Sequence, residues 1–433
     1  MLEPHAGHGE MIAQVFRALV RDKLLPSDPR VVAGAALRAD GGSGAEEPEW
    51  FGADVERDAV WLVDVLAARP GGSSDGERPP WAALRAMVRA ADKPHTGLVT
   101  REFQASLFAR MTGARRTGPG MGWWRSPDAG GLVVAFVTEG GPAWLSGLRG
   151  GDLVVGIAGE ATRPSGLETL ALYAAEPGSS LKLDVLRVSD RISVDLTFRS
   201  EPIPSVTHRW LAGGVAYLDI EWFATVTVPG ADGTASVGED RGGSVAADTA
   251  VAVRAALRSF VAGGATGAVI DLRTGMGGSL TAVQGMLSTM TDADVVVAIA
   301  PPPGGEGEVQ LLPRSDMKEW PDLPIAVLVN EQTTSAAEAL ALGLEELSGA
   351  ALVGTPTSGG LNTLRSHALV DEYSLVLPDR VMLGPASRLP RPGYRLEPTV
   401  AVPNPSAADV RAGRDGQLMA ALDWVKKRSG DAG

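Results

Sequence analysis

Two short, unbroken apolar runs constrain this chain more than any other feature. They are Gly-Ala-Val-Ile at 267–270 and Ile-Ala-Val-Leu-Val at 325–329. Neither alternates with polar residues and both are too short to be helices of their own, so they predict strands buried on both faces. Each is followed by a helical stretch, at 279–290 and 335–347. A strand covered on both sides and feeding a helix is the unit of a parallel, layered α/β core. A strand at 213–223, a helix at 248–263 and a strand opening at 351–355 extend the alternation on either side.

Upstream the texture changes twice. Helical spacing at 10–22, 55–68 and 81–91, broken by Gly/Pro-rich loops, predicts a small helical domain ending near residue 114. Between 118 and 199 short strands separated by glycines predict a compact module, with a helix at 165–175. The 433 residues thus divide into 1–114, 115–200 and 201–433. Gly/Pro-rich insertions at 228–246 and 301–317 read as surface loops.

Composition narrows the function. A hydrophobic content of 44% is enough for a packed core. The net charge of −13, with no basic run, argues against nucleic acid and for a protein or peptide partner. The absence of cysteine excludes disulfides, thiolate metal sites and a cysteine nucleophile. His5, His8 and His208 lack metal-ligand spacing with acidic residues, so neither metal nor cofactor is expected. The N-terminal stretch has no signal-peptide pattern, and no window approaches the roughly 18 apolar residues of a membrane span. The expectation is a cytoplasmic protein as written, periplasmic or secreted if the true start lies upstream. Self-association stays open.

Two segments carry chemistry. After the strand ending at Asn330, Ser335 stands in the first turn of a long helix, beside unpaired N–H groups and the positive end of the helix dipole. A nucleophile and an ordinary serine cap both fit that place. After the strand ending in Asp271-Leu272-Arg273, a turn with Gly275, Gly277 and Gly278 precedes another helix. Such a turn lets backbone amides approach a developing negative charge, though a tight turn without function has the same composition. A phosphate loop would need a Gly-Lys-Ser/Thr ending, which is missing.

Together these segments resemble the core of the C-terminal processing peptidases and the related tricorn peptidases. The resemblance rests on VIDLR at 269–273, GMGG at 275–278, VLVNEQTTSAAEA at 327–339, LVGTPTSGG at 352–360 and GYRLEPTVAVP from 393. Upstream, ALRAMVRAADKPHTG looks like the family's helix and following His-Thr motif, and GPAWLSGLRGGDLVVGIAGE at 141–160 looks like a PDZ signature. The resemblance implies a layered, ClpP/crotonase-like α/β peptidase core with an N-terminal helical domain and a PDZ-like β-rich domain. It puts Ser335 on the nucleophile, and the amides of Gly277 or Gly278 and of Ala336 on the oxyanion hole. Glu338 becomes a structural helix acid. Met121, Gly122 and Trp123, after Gly120, fall on the PDZ loop that cradles a peptide carboxylate.

The pattern also breaks. The lysine of the bacterial branch falls on Gly360, and its orienting glutamine falls near Leu364. A serine without an adjacent base is a poor nucleophile, so the standard Ser–Lys pair is excluded. The tricorn branch uses a histidine, and His95 stands at the matching place, with Glu397 several residues too late to match that branch's glutamate. The resemblance therefore implies a Ser–His endopeptidase, and it leaves an inactive peptide-binding scaffold as the alternative.

Overall fold

The computed structural model describes residues 4–22, 27–39, 48–68, 81–91, 96–100, 103–104, 118–128, 130–162, 172, 176–199, 205–225, 227–229, 235–237, 248–301, 307–369, 373–384 and 394–430. His95 and most of the helical stretch expected at 165–175 lie outside them. The chain forms two compact units, the first made of Met1–Gln104, Ala300–Val309 and Asn362–Val381, the second of the rest.

In the first unit, helices Pro4–Val20, Pro29–Ala39, Val55–Ala67 and Trp81–Ala91 bury a common core of Phe16, Phe51, Leu62, Leu84 and Met87. The third helix starts where Asp54, extended at φ −142°, accepts from the N–H groups of Glu56 and Arg57. That capping satisfies donors the helix itself leaves open. Strand Gly97–Thr100 pairs antiparallel with residues 373–376, and Leu375 and Leu377 close the same core.

The second unit is built on a six-stranded sheet in the order Val400–Ala401, Ala351–Gly354, Ile325–Val329, Gly267–Asp271, Val215–Ile220 and Val206–Leu211. All neighbours are parallel except the last pair. The two apolar runs lie side by side at its centre, in register from Ala268↔Ile325 to Asp271↔Leu328. Successive side chains point to opposite faces. Leu218, Ile270 and Val327 therefore meet helices Thr249–Ala262, Leu280–Met290 and Ala336–Ser348, while Tyr217, Val269 and Leu328 meet helix Gly416–Gly430. Each such fully buried side chain contributes about 1.5–3 kcal/mol.

The same unit holds a second, antiparallel six-stranded sheet from Met121 to Thr197, around Met121, Trp123, Val134, Leu183 and Leu196. The insertion read as a loop at 301–317 is a strand in part. Gln310–Pro313 pairs antiparallel with the preceding strand at Val295–Ile299, whose edge recruits a stretch whose own composition signals a loop. Thr227–Pro229 and Ala235–Val237 likewise pair antiparallel inside the other insertion. Among the described residues no helix is long and apolar enough to cross a membrane.

A buried ionic brace closes the sheet at its carboxyl end. Arg273 donates to Asp271 at 2.6 and 2.9 Å and to Asp415 at 2.8 and 3.0 Å, and its Nη1 also reaches Gln417 at 3.0 Å. Tyr217 adds a hydrogen bond to Asp271 at 2.8 Å. Burial alone would push the Asp271 carboxyl up. The Arg273 charge and the three sets of donors outweigh it and hold the carboxyl below its usual range. Among the described residues Asp219, its neighbour across the strand pair, accepts only a 3.5 Å hydrogen bond from the Thr274 hydroxyl, and burial beside Asp271 pushes it well up.

Removing one member of a buried ion pair leaves a charge without compensation. Arg273→Ala is expected to cost about 3–5 kcal/mol in a urea titration. Asp271 stays charged in the folded state where the unfolded chain protonates. Its share of stability is therefore complete above about pH 4 and fades as the pH falls further. Asp219 has the opposite sign, since its raised value makes folding weaker as the pH rises past the unfolded value. Asp219→Asn should stabilise the protein at pH 7 and flatten the pH–stability curve above about pH 4, as read by thermal melts.

Candidate active site

The sharp turn between strand Ile325–Val329 and helix Ala336–Ser348 is held by its own polar residues. Asn330 Oδ1 accepts from the Gln332 N–H at 2.8 Å, and Thr333 Oγ1 accepts from the Asn330 N–H at 3.0 Å. The Thr333 hydroxyl then donates to the Leu272 carbonyl at 2.9 Å, which nails the turn to the end of the neighbouring strand. Ser335 follows with φ 56° and ψ −121°. A serine that only caps a helix sits in the extended region. A left-handed φ on a residue with a Cβ costs on the order of 1–3 kcal/mol and persists where surrounding contacts impose it. A serine on a strained strand-to-helix turn is the backbone arrangement of a nucleophile elbow.

What imposes it is the glycine corner. A Cβ on Gly277, whose φ is +81°, would lie 2.7 Å from the Ser335 Cβ and 3.0 Å from the Thr334 carbonyl oxygen. The Thr334 N–H donates to the Gly275 carbonyl at 3.2 Å. Gly278, at φ +139°, backs onto the Phe223 carbonyl so closely that no side chain fits there. The Gly277 carbonyl is taken by the Phe223 N–H at 3.1 Å, and the Ser279 N–H goes to the Phe223 carbonyl at 2.7 Å. Among the described residues, no hydrogen bond uses the N–H of Gly277 or Gly278. Ala336 opens the helix, where N–H groups have no intrahelical partner. The sequence therefore brings Ser335, Gly277, Gly278 and Ala336 to one place.

Glu338 fastens the other wall. Its fully buried carboxylate accepts from the N–H groups of Ser335 at 3.1 Å, Gly359 at 2.9 Å and Gly360 at 2.7 Å. It also accepts from the hydroxyls of Thr357 at 2.5 Å and Ser358 at 3.0 Å. Burial pushes this carboxyl up, against the pull of those donors. Gly360, at the place of the missing lysine, thus shares a carboxylate oxygen with Ser335 and brings no side chain to it.

Other side chains that could act as a base are scattered. His367 lies on strand Asn362–Ala368 of the first unit, and burial, with the Arg365 charge, holds its imidazole below the usual value. Lys318 is paired with Asp292 at 2.8 Å and Asp322 at 2.5 Å, and Lys93 lies outside the described residues. Glu397 is exposed, although its neighbour Leu396 hydrogen-bonds Thr357 at 2.9 Å. His208 is exposed on an edge strand, with its ring 5.7 Å from that of Phe260. Among the described residues no group of ligating side chains could hold a metal.

Met121, Gly122 and Trp123 are buried, with Met121 and Trp123 in the core of the second sheet. A Cβ on Gly122 would collide with the Phe136 ring and lie 2.8 Å from Thr274 Cγ2. Sequence reasoning missed Glu331, Gln332 and Asn404, whose side chains reach this strand. Only the density of polar residues in the turn 330–335 hinted at the first two.

Residues 214–402, the stretch that carries both the elbow and the glycine corner, match the model of peptidase family S41. The core is thus similar to S41 peptidase domains. The chain is 24% identical over 304 residues to the carboxy-terminal processing protease CtpA of Bacillus subtilis, covering 70% of this chain and 59% of that protein. It is 26% identical to the carboxyl-terminal-processing protease of Synechocystis, covering 80% and 76% respectively. It therefore spans about three fifths of the first relative's length and three quarters of the second's. Its fold matches that of the photosystem II D1 C-terminal processing protease with a TM-score of 0.55 at 20% identity, over 92% of this chain and 93% of that one.

Two substitutions test how the S41 site is held. Gly277→Ala puts a side chain into Ser335 at a left-handed φ, and should cost about 1–3 kcal/mol by urea titration. Glu338→Ala strands its donors in a buried place and should cost at least about 3 kcal/mol in the same measurement.

Proposed function

We propose that the protein is a serine peptidase that cleaves peptide bonds within protein chains, with histidine rather than lysine as the base. The observation that carries this reading is Ser335 held at φ 56° against Gly277. The Ser335 hydroxyl attacks the scissile carbonyl carbon while His95 takes its proton. The carbonyl oxygen, now an anion, lies against the amides of Gly277 or Gly278 and of Ala336. Collapse of the intermediate releases the amine, which carries away the proton from His95, and water then hydrolyses the acyl-serine by the same route. Glu338 fixes the serine's backbone from behind and exchanges no proton.

The same proposal includes a ClpP/crotonase-like layering for the core and a division at residues 1–114, 115–200 and 201–433. It also treats the middle segment as a PDZ-like module that helps to recognise chain ends through Met121, Gly122 and Trp123. Gly360 in place of the lysine favours a second reading, in which the cleft binds peptides without cutting them.

Casein cleavage by the full chain should fall by a factor of at least about 1,000 in Ser335→Ala and by a similar order in His95→Ala. With a histidine base, the rate should drop as the pH falls below neutrality. Loss in Ser335→Ala with full activity in His95→Ala would assign the base elsewhere. Equal residual cleavage in wild type and both variants would mean a contaminant, and would favour the binding scaffold.

A further inference from the structure

Strand Met121–Arg125 has one edge paired with Leu132–Val137 and the other turned toward the S41 core. Backbone groups alternate between the two edges of an antiparallel strand. The groups of Trp123 and Arg125 that face the core are the ones an extended peptide would use if it added as a strand beside them. Of these four groups, three are engaged by side chains of the core. Gln332 Nε2 donates to the Trp123 carbonyl at 2.8 Å, the Arg125 N–H donates to Glu331 Oε1 at 2.9 Å, and Asn404 Nδ2 donates to the Arg125 carbonyl at 3.4 Å.

These contacts are wired to the rest of the core. Asn404 Nδ2 also donates to Glu331 Oε2 at 2.9 Å, Gln417 Nε2 donates to Asn404 Oδ1 at 3.2 Å, and Gln417 accepts from Arg273. The neighbouring Trp124 is buried with its indole N–H on the Pro405 carbonyl at 2.8 Å and the Arg273 guanidinium 4.9 Å over its ring. Val133 and Leu153 pack with Trp124 against Ala407 and Val410, and Arg411 donates to the Gly151 carbonyl at 2.6 Å. An apolar contact flanked by satisfied polar groups resembles a domain core rather than a hinged surface.

We propose that the Trp123–Arg125 part of the open edge of strand Met121–Arg125 is a docking edge for the nucleophile turn and not a receptor for an added substrate strand, with Gln332 a positioning residue for Ser335. Glu331, Gln332 and Asn404 supply the hydrogen bonds that an incoming strand would make. Gln332 lies three residues before Ser335, so its grip on Trp123 holds the turn from which the serine projects. Help from the module in recognising chain ends then proceeds by a route other than strand addition at this edge. The positioning role rests on the serine-peptidase reading, whereas the docking of the edge does not.

Two arms separate them. Hydrogen exchange on the full-length Ser335→Ala protein, read by mass spectrometry, needs no catalysis. The segment 121–126 should exchange slowly, should exchange faster in the Glu331→Ala/Asn404→Ala double variant, and should be unchanged by a decapeptide ending in valine with a free carboxylate. Slowing of that segment by the decapeptide, or no effect of the double variant, would overturn the docking edge.

In the second arm, Gln332→Met keeps the length of the side chain and removes its donor. Turnover of casein peptides should fall about tenfold, as for loss of one buried hydrogen bond, with KM within about twofold. Labelling of Ser335 by a small fluorophosphonate should slow in parallel, and Gln332→Lys, which restores a donor of similar reach, should recover part of the rate. A rise in KM with turnover unchanged would assign Gln332 to substrate binding and end the positioning role. If the wild type neither turns over nor labels, the peptidase reading and the positioning role fall together, and the exchange result still decides the docking edge.

Discussion

The site depends on the buried carboxylate of Glu338. It accepts five hydrogen bonds, from the backbone of Ser335, Gly359 and Gly360 and from the hydroxyls of Thr357 and Ser358. A buried carboxylate is tolerated only when its oxygens are satisfied, and here the donors come from two segments that the chain must therefore keep together. The helix mouth at Ser335 and the loop at 357–360 are fixed by one charge. The glycine corner presses from the opposite side, where Gly277 leaves no room for a side chain. Between them the serine keeps a backbone conformation that it would not adopt alone.

Arg273 plays a similar part at a larger scale. It ties the end of strand Gly267–Asp271 to Asp415 and Gln417 near the last helix and lies over the ring of Trp124 in the second sheet. A single buried guanidinium with paired carboxylates on two sides thus joins the central sheet, the C-terminal helix and the strand-rich module. A bidentate guanidinium suits this task because its donors lie in one plane and reach several acceptors at fixed angles.

Much of this architecture is legible in the amino-acid sequence. The runs at 267–270 and 325–329 announce two central strands, because strands apolar on both faces have few places to go in a folded chain. The helices that follow them are legible from 3.6-residue spacing, and Ser335 and the glycines at 275–278 from their place at strand ends. The strand at 310–313 is not legible. Its pairing with Val295–Ile299 is a contact between segments, and local Gly/Pro composition points the other way. Glu331, Gln332 and Asn404 escape notice for the same reason, since nothing local distinguishes a polar turn residue in solvent from one bonded to a strand some 200 residues away.

The sequence by itself determined the type of core, the order of its elements and which hydroxyl and which glycines stand at the ends of its strands. These follow from periodicity and from residues whose backbone freedom is read one position at a time. Tertiary structure alone decided that Ser335 is strained against Gly277, that Glu338 shares one oxygen between the serine and Gly360, and that backbone groups of Trp123 and Arg125 bond side chains of the core. Apart from the bond between Ser335 and Glu338, three residues apart, each of these is a contact between residues distant along the chain, and such contacts exist only once packing has brought the segments within bonding reach.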